Sequence, residues 1–173
     1  MTNVFTPPVV EFVTVGAEFC AFLEQSEGRD RETFVGTLLK ILPLLYVKAS
    51  LLPHVEGSSS FVAETHVTEQ DYDWLRGVLA RVMGDADGYE DLLYDEQMQT
   101  DDTRWQCVSE NLADIYQPVR DFVETYRGGM EENIEDALWA LCDSFELYWG
   151  GNLVDVLRRL HRVRYMIADS SLS

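Results

Sequence analysis

Apolar residues recur every three or four positions along most of this chain, the spacing that gathers them on one face of an α-helix. The first such stripe passes through Phe12, Gly16, Phe19 and Leu23. Alternation of apolar and polar residues, which indicates a half-buried β-strand, does not extend beyond a few positions. The pattern predicts an all-α fold, a single-domain bundle of six or seven helices. The domain spans residues 1–173, with an irregular loop at about 53–67 and a disordered tail at about 169–173.

Helix-start residues mark where three of these helices begin. Thr6 precedes Pro7, which is the combination of an N-cap and a first-turn proline. Asp30 is placed to cap the second helix, and Thr68 opens the string "TEQD", which resembles a capping box. The second helix runs to Leu52 and is apolar on nearly all sides, so we expect it to be the central helix of the bundle.

The second half of the chain is predicted to be helical as well. A short helix is expected from Tyr89 to Met98, and a long one begins at the string "TDDTRW" and ends at Gly128-Gly129. Two further segments, "MEENIEDALWALCDSFELYW" and "NLVDVLRRLHRVRYMI", meet at Gly150-Gly151. This glycine pair either separates two helices or bends one continuous helix.

Helical phase assigns the acidic residues of this half to the solvent. Steps of about 100° per residue from Leu112, the centre of the core stripe, place three acids on the opposite side: Glu110, Asp114 and Asp121. The same construction around Leu141 turns the acids of the next helix outward and leaves Tyr148 on the inward stripe. Those outward acids include Glu132, Asp136 and Asp143. The sequence therefore predicts an acidic surface made of these six side chains.

The formal net charge is −18, and it is concentrated in the middle of the chain. Residues 54–146 contain 23 acidic residues and five arginines, whereas the remainder is balanced. Such a charge repels nucleic acid and anionic membranes, so we expect neither direct nucleic-acid binding nor membrane association. It suits a basic protein surface as the partner. The N-terminus lacks the pattern of a signal peptide, and three widely spaced cysteines fit a cytoplasmic protein with reduced thiols.

Motifs that carry catalysis or cofactor binding are missing from the sequence. It contains no Glu-x-x-His pair of a helical metal centre, no Gly-x-Ser-x-Gly elbow and no glycine-rich phosphate loop. We therefore expect no metal and no cofactor, and the sequence leans against an enzyme. His54 with Glu56, and Glu64 with His66, bracket the long loop and form the one arrangement that could close on a metal.

Two features carry the candidate polar sites. The string "FELYWGGN" is rich in aromatic residues, and with His161 it places Tyr148, Trp149 and Asn152 around a candidate pocket. Lys48 lies on the apolar side of the second helix, where an unpaired ammonium would be costly. We expect it to pair with a carboxylate of another helix rather than to extend its stem to water. The candidate acids are Glu18, Asp73 and Asp155.

Three strings, "LPLLYVKASLLP", "VSENLADIYQ" and "YWGGNLVDVLRRLH", resemble the bacterial domain-of-unknown-function family numbered 5063. The resemblance extends from about Phe12 to His161. It implies a single helical domain from a bacterium with no assigned activity, and it supplies no catalytic residues. The sequence departs from the family's usual pattern at Pro118, where an acidic residue is typical, and at Gly151, where glutamine is typical.

These observations leave three functions open. The leading one is a non-enzymatic interaction or accessory protein with an acidic surface. The second is a small-molecule or metal-dependent enzyme with a pocket near Tyr148, Trp149 and His161. The third is an acidic mimic of nucleic acid, which requires carboxylates at phosphate-like spacing on one surface.

Overall fold

The computed structural model describes residues 4–57, 63–95 and 100–167. Its helices are α1 (Pro7–Glu24), α2 (Arg31–Ser50), α3 (Glu69–Met83), α4 (Val108–Gly128), α5 (Glu131–Ser144) and α6 (Gly150–Arg162). One π-helical turn (Phe145–Trp149) joins α5 to α6, and a second (Val163–Ile167) follows α6. Two antiparallel strands follow α3: β1 (Gly88–Asp95) and β2 (Thr100–Cys107). The predicted tail and residues 58–62 of the predicted loop lie outside the described residues.

The Gly150-Gly151 pair does not interrupt the last helix. Residues 131–167 are helical throughout, so α5, the two π-helical turns and α6 form one continuous helix. In the described part of the chain this gives five continuous helices, fewer than the six or seven predicted. Two further segments predicted as helical are strands in the structure. Residues 89–95 of the short helix predicted from Tyr89 to Met98 belong to β1, and the predicted start of the long helix at "TDDTRW" lies in β2, so that helix begins only at Val108.

The predicted starts of the first three helices are confirmed, although the Thr6 side chain makes no capping hydrogen bond and α2 ends at Ser50, two residues before the predicted Leu52. The Asp30 carboxylate accepts a hydrogen bond from the backbone N–H of Thr33 at 3.0 Å, so it caps α2. Thr68 and Asp71 form a reciprocal capping box at the start of α3, each side chain accepting from the other residue's N–H. Gly129 ends α4 with a left-handed φ of 76°, a conformation that favours glycine.

The central helix is α4, not α2 as predicted. It packs against α1, α3, α5 and α6, and 11 of its 21 residues are buried. Helix α2 instead lies at the side of the bundle, and its outer face leaves Leu44, Tyr46 and Val47 exposed. Apolar residues on nearly all sides of α2 therefore do not indicate that this helix is central in the bundle. In α4 the acids occupy a narrow outer stripe that leaves the rest of the circumference free to pack.

Lys48 lies on the flank of α2 that faces α1. Its Nζ is 3.0 Å from Glu11 Oε2, and the side chains of the two residues are 24% and 53% exposed. Lys48 is therefore paired, but with an acid outside the predicted set and at the edge of the core.

By length and composition alone, one helix among the described residues, Arg31–Ser50, could cross a membrane. The core helix of a water-soluble protein meets the same criteria.

The β1–β2 hairpin corrects the all-α prediction. In its register Tyr89 pairs with Gln106 and Glu90 with Trp105. Tyr89 and Gln106 face inward and are buried, whereas Trp105 is 65% exposed. The inward face thus carries polar groups such as Gln106 and the Tyr89 hydroxyl, whereas the outward face exposes Leu92 and Trp105 beside Glu90. This inversion removes the alternation by which a strand with one buried face is ordinarily found in a sequence.

Candidate functional site

A cleft of about 420 Å³ opens between α4 and the π-helical turn Phe145–Trp149. Two carboxylates, two amides and a tyrosine ring are among its walls, and the lining residues are Asp114, Gln117, Pro118, Asp121, Ser144, Tyr148, Trp149 and Asn152. Three members of the candidate pocket from the sequence meet here. The fourth, His161, does not line the cleft, and its exposed ring packs at 4.8 Å from that of Tyr165.

The π-helical turn is what brings Tyr148 into this cleft. Such a turn contains about one residue more than a turn of α-helix, so every later side chain shifts in phase by one position. An unbroken α-helix would direct Tyr148 into the core, as the sequence predicted. In the structure Trp149 takes the inward position and is 1% exposed, while Tyr148 is 70% exposed. The prediction that Tyr148 belongs to the core stripe is wrong for this reason.

Two contacts and one glycine hold the turn in place. The indole N–H of Trp149 donates to the carbonyl oxygen of Leu141 at 3.3 Å, and its ring meets Phe145 edge-on with centroids 4.6 Å apart. The N–H of Gly150 donates to the carbonyl oxygen of Phe145. A Cβ at position 150 would lie 2.5 Å from that oxygen, so the turn requires glycine there.

The α4 wall presents Asp114, Gln117 and Asp121 at spacings of three and four residues, which places them on one side of the helix. Asp114 Oδ1 accepts a hydrogen bond of 2.6 Å from the hydroxyl of Tyr72 in α3. Burial of the ring and this bond to a carboxylate raise the pKa of Tyr72 above its ordinary value. The hydroxyl is a donor at neutral pH, as in an ordinary tyrosine, and its bond holds Asp114 in position at the edge of the cleft.

Asp121 is half-buried, which corrects its place on the predicted acidic surface. Its Oδ1 accepts the backbone N–H groups of His66 and Val67 at 2.7 and 2.8 Å, so it anchors the end of the long loop on α4. Asp136 is also half-buried. The other predicted surface acids are exposed: Glu110, Asp114, Glu132 and Asp143.

A smaller slot of about 190 Å³ adjoins the cleft and shares Pro118, Asp121 and Ser144 with it. It lies between α4, α5 and the loop residues that precede α3. Six of its ten lining residues are apolar: Ala63, Pro118, Phe122, Ala137, Ala140 and Leu141.

The lining residues of the cleft do not include a nucleophile beside a base. Ser144 Oγ donates to the carbonyl oxygen of Leu141 at 3.1 Å, and no histidine or cysteine is part of the wall. Within residues 4–57, 63–95 and 100–167, no three metal-binding side chains converge. Glu64 and His66 approach to 3.8 Å as a single pair. What the cleft offers chemically is negative charge, amide groups and an aromatic face.

A second cleft of about 400 Å³ lies near α1, α3 and α4, but its charged groups already satisfy one another. The hydroxyl of Tyr116 donates to Glu24 at 2.6 Å, and Arg120 contacts Glu24 at 3.7 Å and Glu124 at 2.9 Å. Burial and the Glu24 carboxylate raise the pKa of Tyr116. This cluster acts as a clamp between α1 and α4. The cluster was not predicted, although the four-residue spacing of Tyr116, Arg120 and Glu124 places these side chains on one side of a helix.

A chain of hydrogen bonds docks the hairpin on the bundle. The hydroxyl of Tyr89 donates to Asn111 at 2.6 Å, Asn111 to Gln106 at 2.9 Å, and Gln106 to Asp91 at 3.0 Å. The guanidinium of Arg159 lies 5.4 Å from the centroid of the Tyr89 ring and completes this contact with α6. The side chains of Tyr89, Asn111, Gln106 and Asp91 are hydrogen-bonded to one another, and Arg159 also donates to the carbonyl oxygen of Ala86, so this contact joins the hairpin to the bundle.

The fold and the cleft define a mostly helical domain with an acidic groove beside a π-helical turn. The chain belongs to the family described as "Domain of unknown function (DUF5063)", whose model matches residues 3–166 and confirms the resemblance of its strings. It is similar to the crystal structure of protein BF1032 from Bacteroides fragilis, a target of the Northeast Structural Genomics Consortium. The two are 44% identical, the match covers 94% of this chain and 96% of that one, and the TM-score is 0.82. Comparison with curated proteins finds no match.

Proposed function

We propose that the chain is a non-enzymatic binding module whose acidic cleft receives the arginine or lysine side chain of a basic partner protein. The observation that carries this proposal is the position of Asp114 and Asp121 on either side of Pro118, in a cleft that also includes the exposed ring of Tyr148. Charge and aromatic surface in one concave site are the features that select a cation.

Each wall of the cleft would contribute favourable binding free energy to a guanidinium or ammonium group. Hydrogen bonds from a cation to a carboxylate are short. Each contributes about 0.2–1 kcal/mol at an exposed acid such as Asp114, and up to about 1.5–3 kcal/mol at a more buried one such as Asp121. The face of the Tyr148 ring attracts a cation within about 6 Å, which adds about 0.5–1 kcal/mol at an exposed position. The side-chain carbonyl groups of Gln117 and Asn152 supply further acceptors for the remaining N–H groups.

The charge of the whole chain supports the same partner. With a net charge of −18 and exposed acids at Glu110, Glu132 and Asp143, the surface attracts a basic protein before contact is made. We therefore expect the association rate to fall as salt is added, because exposed charges are screened beyond a Debye length of about 8 Å at physiological ionic strength.

Titration of the isotope-labelled protein with a short arginine-containing peptide, followed by NMR, tests the proposal. The side-chain amides of Gln117 and Asn152 and the indole N–H of Trp149 are the reporters, because all three residues line the cleft. We expect their signals to shift along a saturable curve. The matched control peptide carries citrulline, which keeps the shape of arginine and removes its charge, and it is expected to leave them unchanged.

Three isosteric variants locate the site. Asp114→Asn and Asp121→Asn keep an acceptor for Tyr72 and for the loop. The first should weaken the affinity for the peptide about three- to fivefold, because Asp114 is exposed, and the second about tenfold or more, because Asp121 is half-buried. Asp143→Asn removes the same charge from an exposed position outside the cleft, and the change there should be about twofold or less. Equal losses in all three would mean diffuse attraction and would refute the cleft as the site. Metal analysis of the same protein is expected to find less than one metal per chain.

A further inference from the structure

The slot beside the cleft exists because small side chains of α5 face the long loop. Ala137 and Ala140 form its α5 wall, and Ala63 forms the wall on the loop side. The backbone N–H groups of His66 and Val67 donate to Asp121, which fixes the end of the loop on α4. Gly57, at the other described end of the loop, lies against the ring of Trp139, so both described ends of the loop rest near α5.

The size and lining of the slot fit one side chain rather than a separate ligand. Ligand pockets usually measure about 300–1,000 Å³, whereas the slot measures about 190 Å³. That volume would hold roughly six water molecules at about 30 Å³ each, and the six apolar side chains of the lining offer them no hydrogen bonds. A branched aliphatic side chain would displace such water favourably.

The position of the slot relates it to the acidic cleft. The two spaces share Pro118, Asp121 and Ser144, so a group in the slot lies next to a group in the cleft. In an extended peptide, neighbouring residues are about 3.3 Å apart along the chain, and side chains two residues apart point to the same face. One short segment can therefore fill both spaces.

Resting on the proposed function, we propose that the partner segment carries a branched aliphatic residue within two positions of its basic residue. The basic side chain lies between Asp114 and Asp121, and the leucine, isoleucine or valine side chain fills the slot against Ala137 and Ala140. Specificity then comes from the slot, because the cleft alone would accept any exposed arginine or lysine. Because Asp121 lines both spaces, the site that selects a positive charge lies directly beside the site that selects an aliphatic side chain.

The test compares peptides that differ only beside the arginine. The parent peptide has serine and glycine around one arginine, and two derivatives carry leucine one or two positions after it. A fourth peptide keeps the leucine and replaces the arginine with citrulline. We expect at least one leucine derivative to bind roughly tenfold tighter than the parent, the gain that corresponds to burial of one aliphatic side chain.

A filled slot provides the matched control on the protein side. Ala140→Leu replaces a side chain of one carbon with a side chain of four carbons, which fills the slot. It should remove the advantage of the leucine peptides while leaving the affinity for the parent peptide unchanged. Asn133→Leu adds bulk to the same helix outside the slot and should leave both affinities unchanged. Circular dichroism of both variants verifies folding, and the peptide comparison on the unmodified protein does not depend on either of them.

The outcomes separate the two proposals. If the parent and leucine peptides bind wild-type protein equally, the slot proposal is wrong and the cationic cleft stands. If the leucine peptide with citrulline binds as tightly as its arginine counterpart, the cleft does not select a cation and both proposals fail. If no peptide binds, both are overturned as well. A gain from leucine that survives Ala140→Leu refutes the slot as its origin.

Discussion

Gly150→Ala is the substitution that tests most directly whether the π-helical turn governs this region. The added Cβ would lie 2.5 Å from the carbonyl oxygen of Phe145 and 3.0 Å from the edge of its ring. Backbone atoms cannot move aside as a flexible side chain does, so the turn has to distort. Forcing a methyl group into a packed site typically costs about 1–3 kcal/mol.

Gly151→Ala is the matched control, because a Cβ there meets nothing within 4 Å. Replacement of an exposed helical glycine by alanine usually stabilises a protein by about 0.5–1 kcal/mol. The same gain in helix propensity applies at position 150. The difference between the two variants therefore isolates the contact with Phe145, and we expect Gly150→Ala to be less stable than Gly151→Ala by about 1–3 kcal/mol.

Urea unfolding of the wild type and the two variants measures this difference as a shift in midpoint at constant slope. The added Cβ of Gly150→Ala strains the turn that directs the Trp149 ring inward, so we also expect the environment of Trp149 to change. A Gly150→Ala protein as stable as Gly151→Ala would refute the reasoning. It would show that the helix closes the turn without the close approach of residue 150 to Phe145.

Three further substitutions test other contacts. Lys48→Met and Glu11→Gln should each change stability by no more than about 1 kcal/mol, because their ion pair is partly exposed; a much larger loss on urea unfolding would mean a buried charge. Thr68→Ala removes the N-cap of α3 and should lower the free energy of unfolding by about 0.5–2 kcal/mol in the same assay. An unchanged free energy of unfolding would show that the capping box does not stabilise α3. Burial and the neighbouring carboxylate of Asp91 raise the pKa of Asp155. The protonated side chain therefore stabilises the fold below the ordinary aspartate pKa of about 3.9, and this stabilisation is lost as pH rises through the raised pKa. Asp155→Asn should therefore stabilise the protein at pH 7 and lose that advantage by about pH 4, and an equal effect at both would contradict this.

The local rules of helix initiation could be read from the sequence because they act over a few residues. Asp30 reaches the N–H of Thr33, and Thr68 and Asp71 cap each other, within one turn of helix in each case. The core stripe of α4 could also be read, since Leu112, Val119 and their neighbours follow one helical phase over five turns. These features do not depend on what lies elsewhere in the chain.

The features that sequence reasoning missed depend on partners distant in the chain. The inward face of the hairpin is polar because Asn111 and Arg159 are there to bind it, and no local pattern announces that. Tyr148 is in the cleft because one wide turn shifts the helical phase, a change that the 3.6-residue repeat cannot show. Of the candidate pocket, the aromatic string was found, while its two carboxylates were assigned to an open surface because the opposite wall of the cleft was unknown.

The polar docking of the hairpin also has a consequence for how the molecule opens. Water can replace each hydrogen bond of its inward face, whereas nothing replaces the apolar contacts that join α3 to α4. We expect the hairpin to detach in a sub-global opening of lower free energy than unfolding of the bundle, so that its amides exchange with solvent before those of α4. A protease that cuts within it should then leave two fragments that stay associated, because α3 belongs to one fragment, α4 to the other, and these two helices pack against each other.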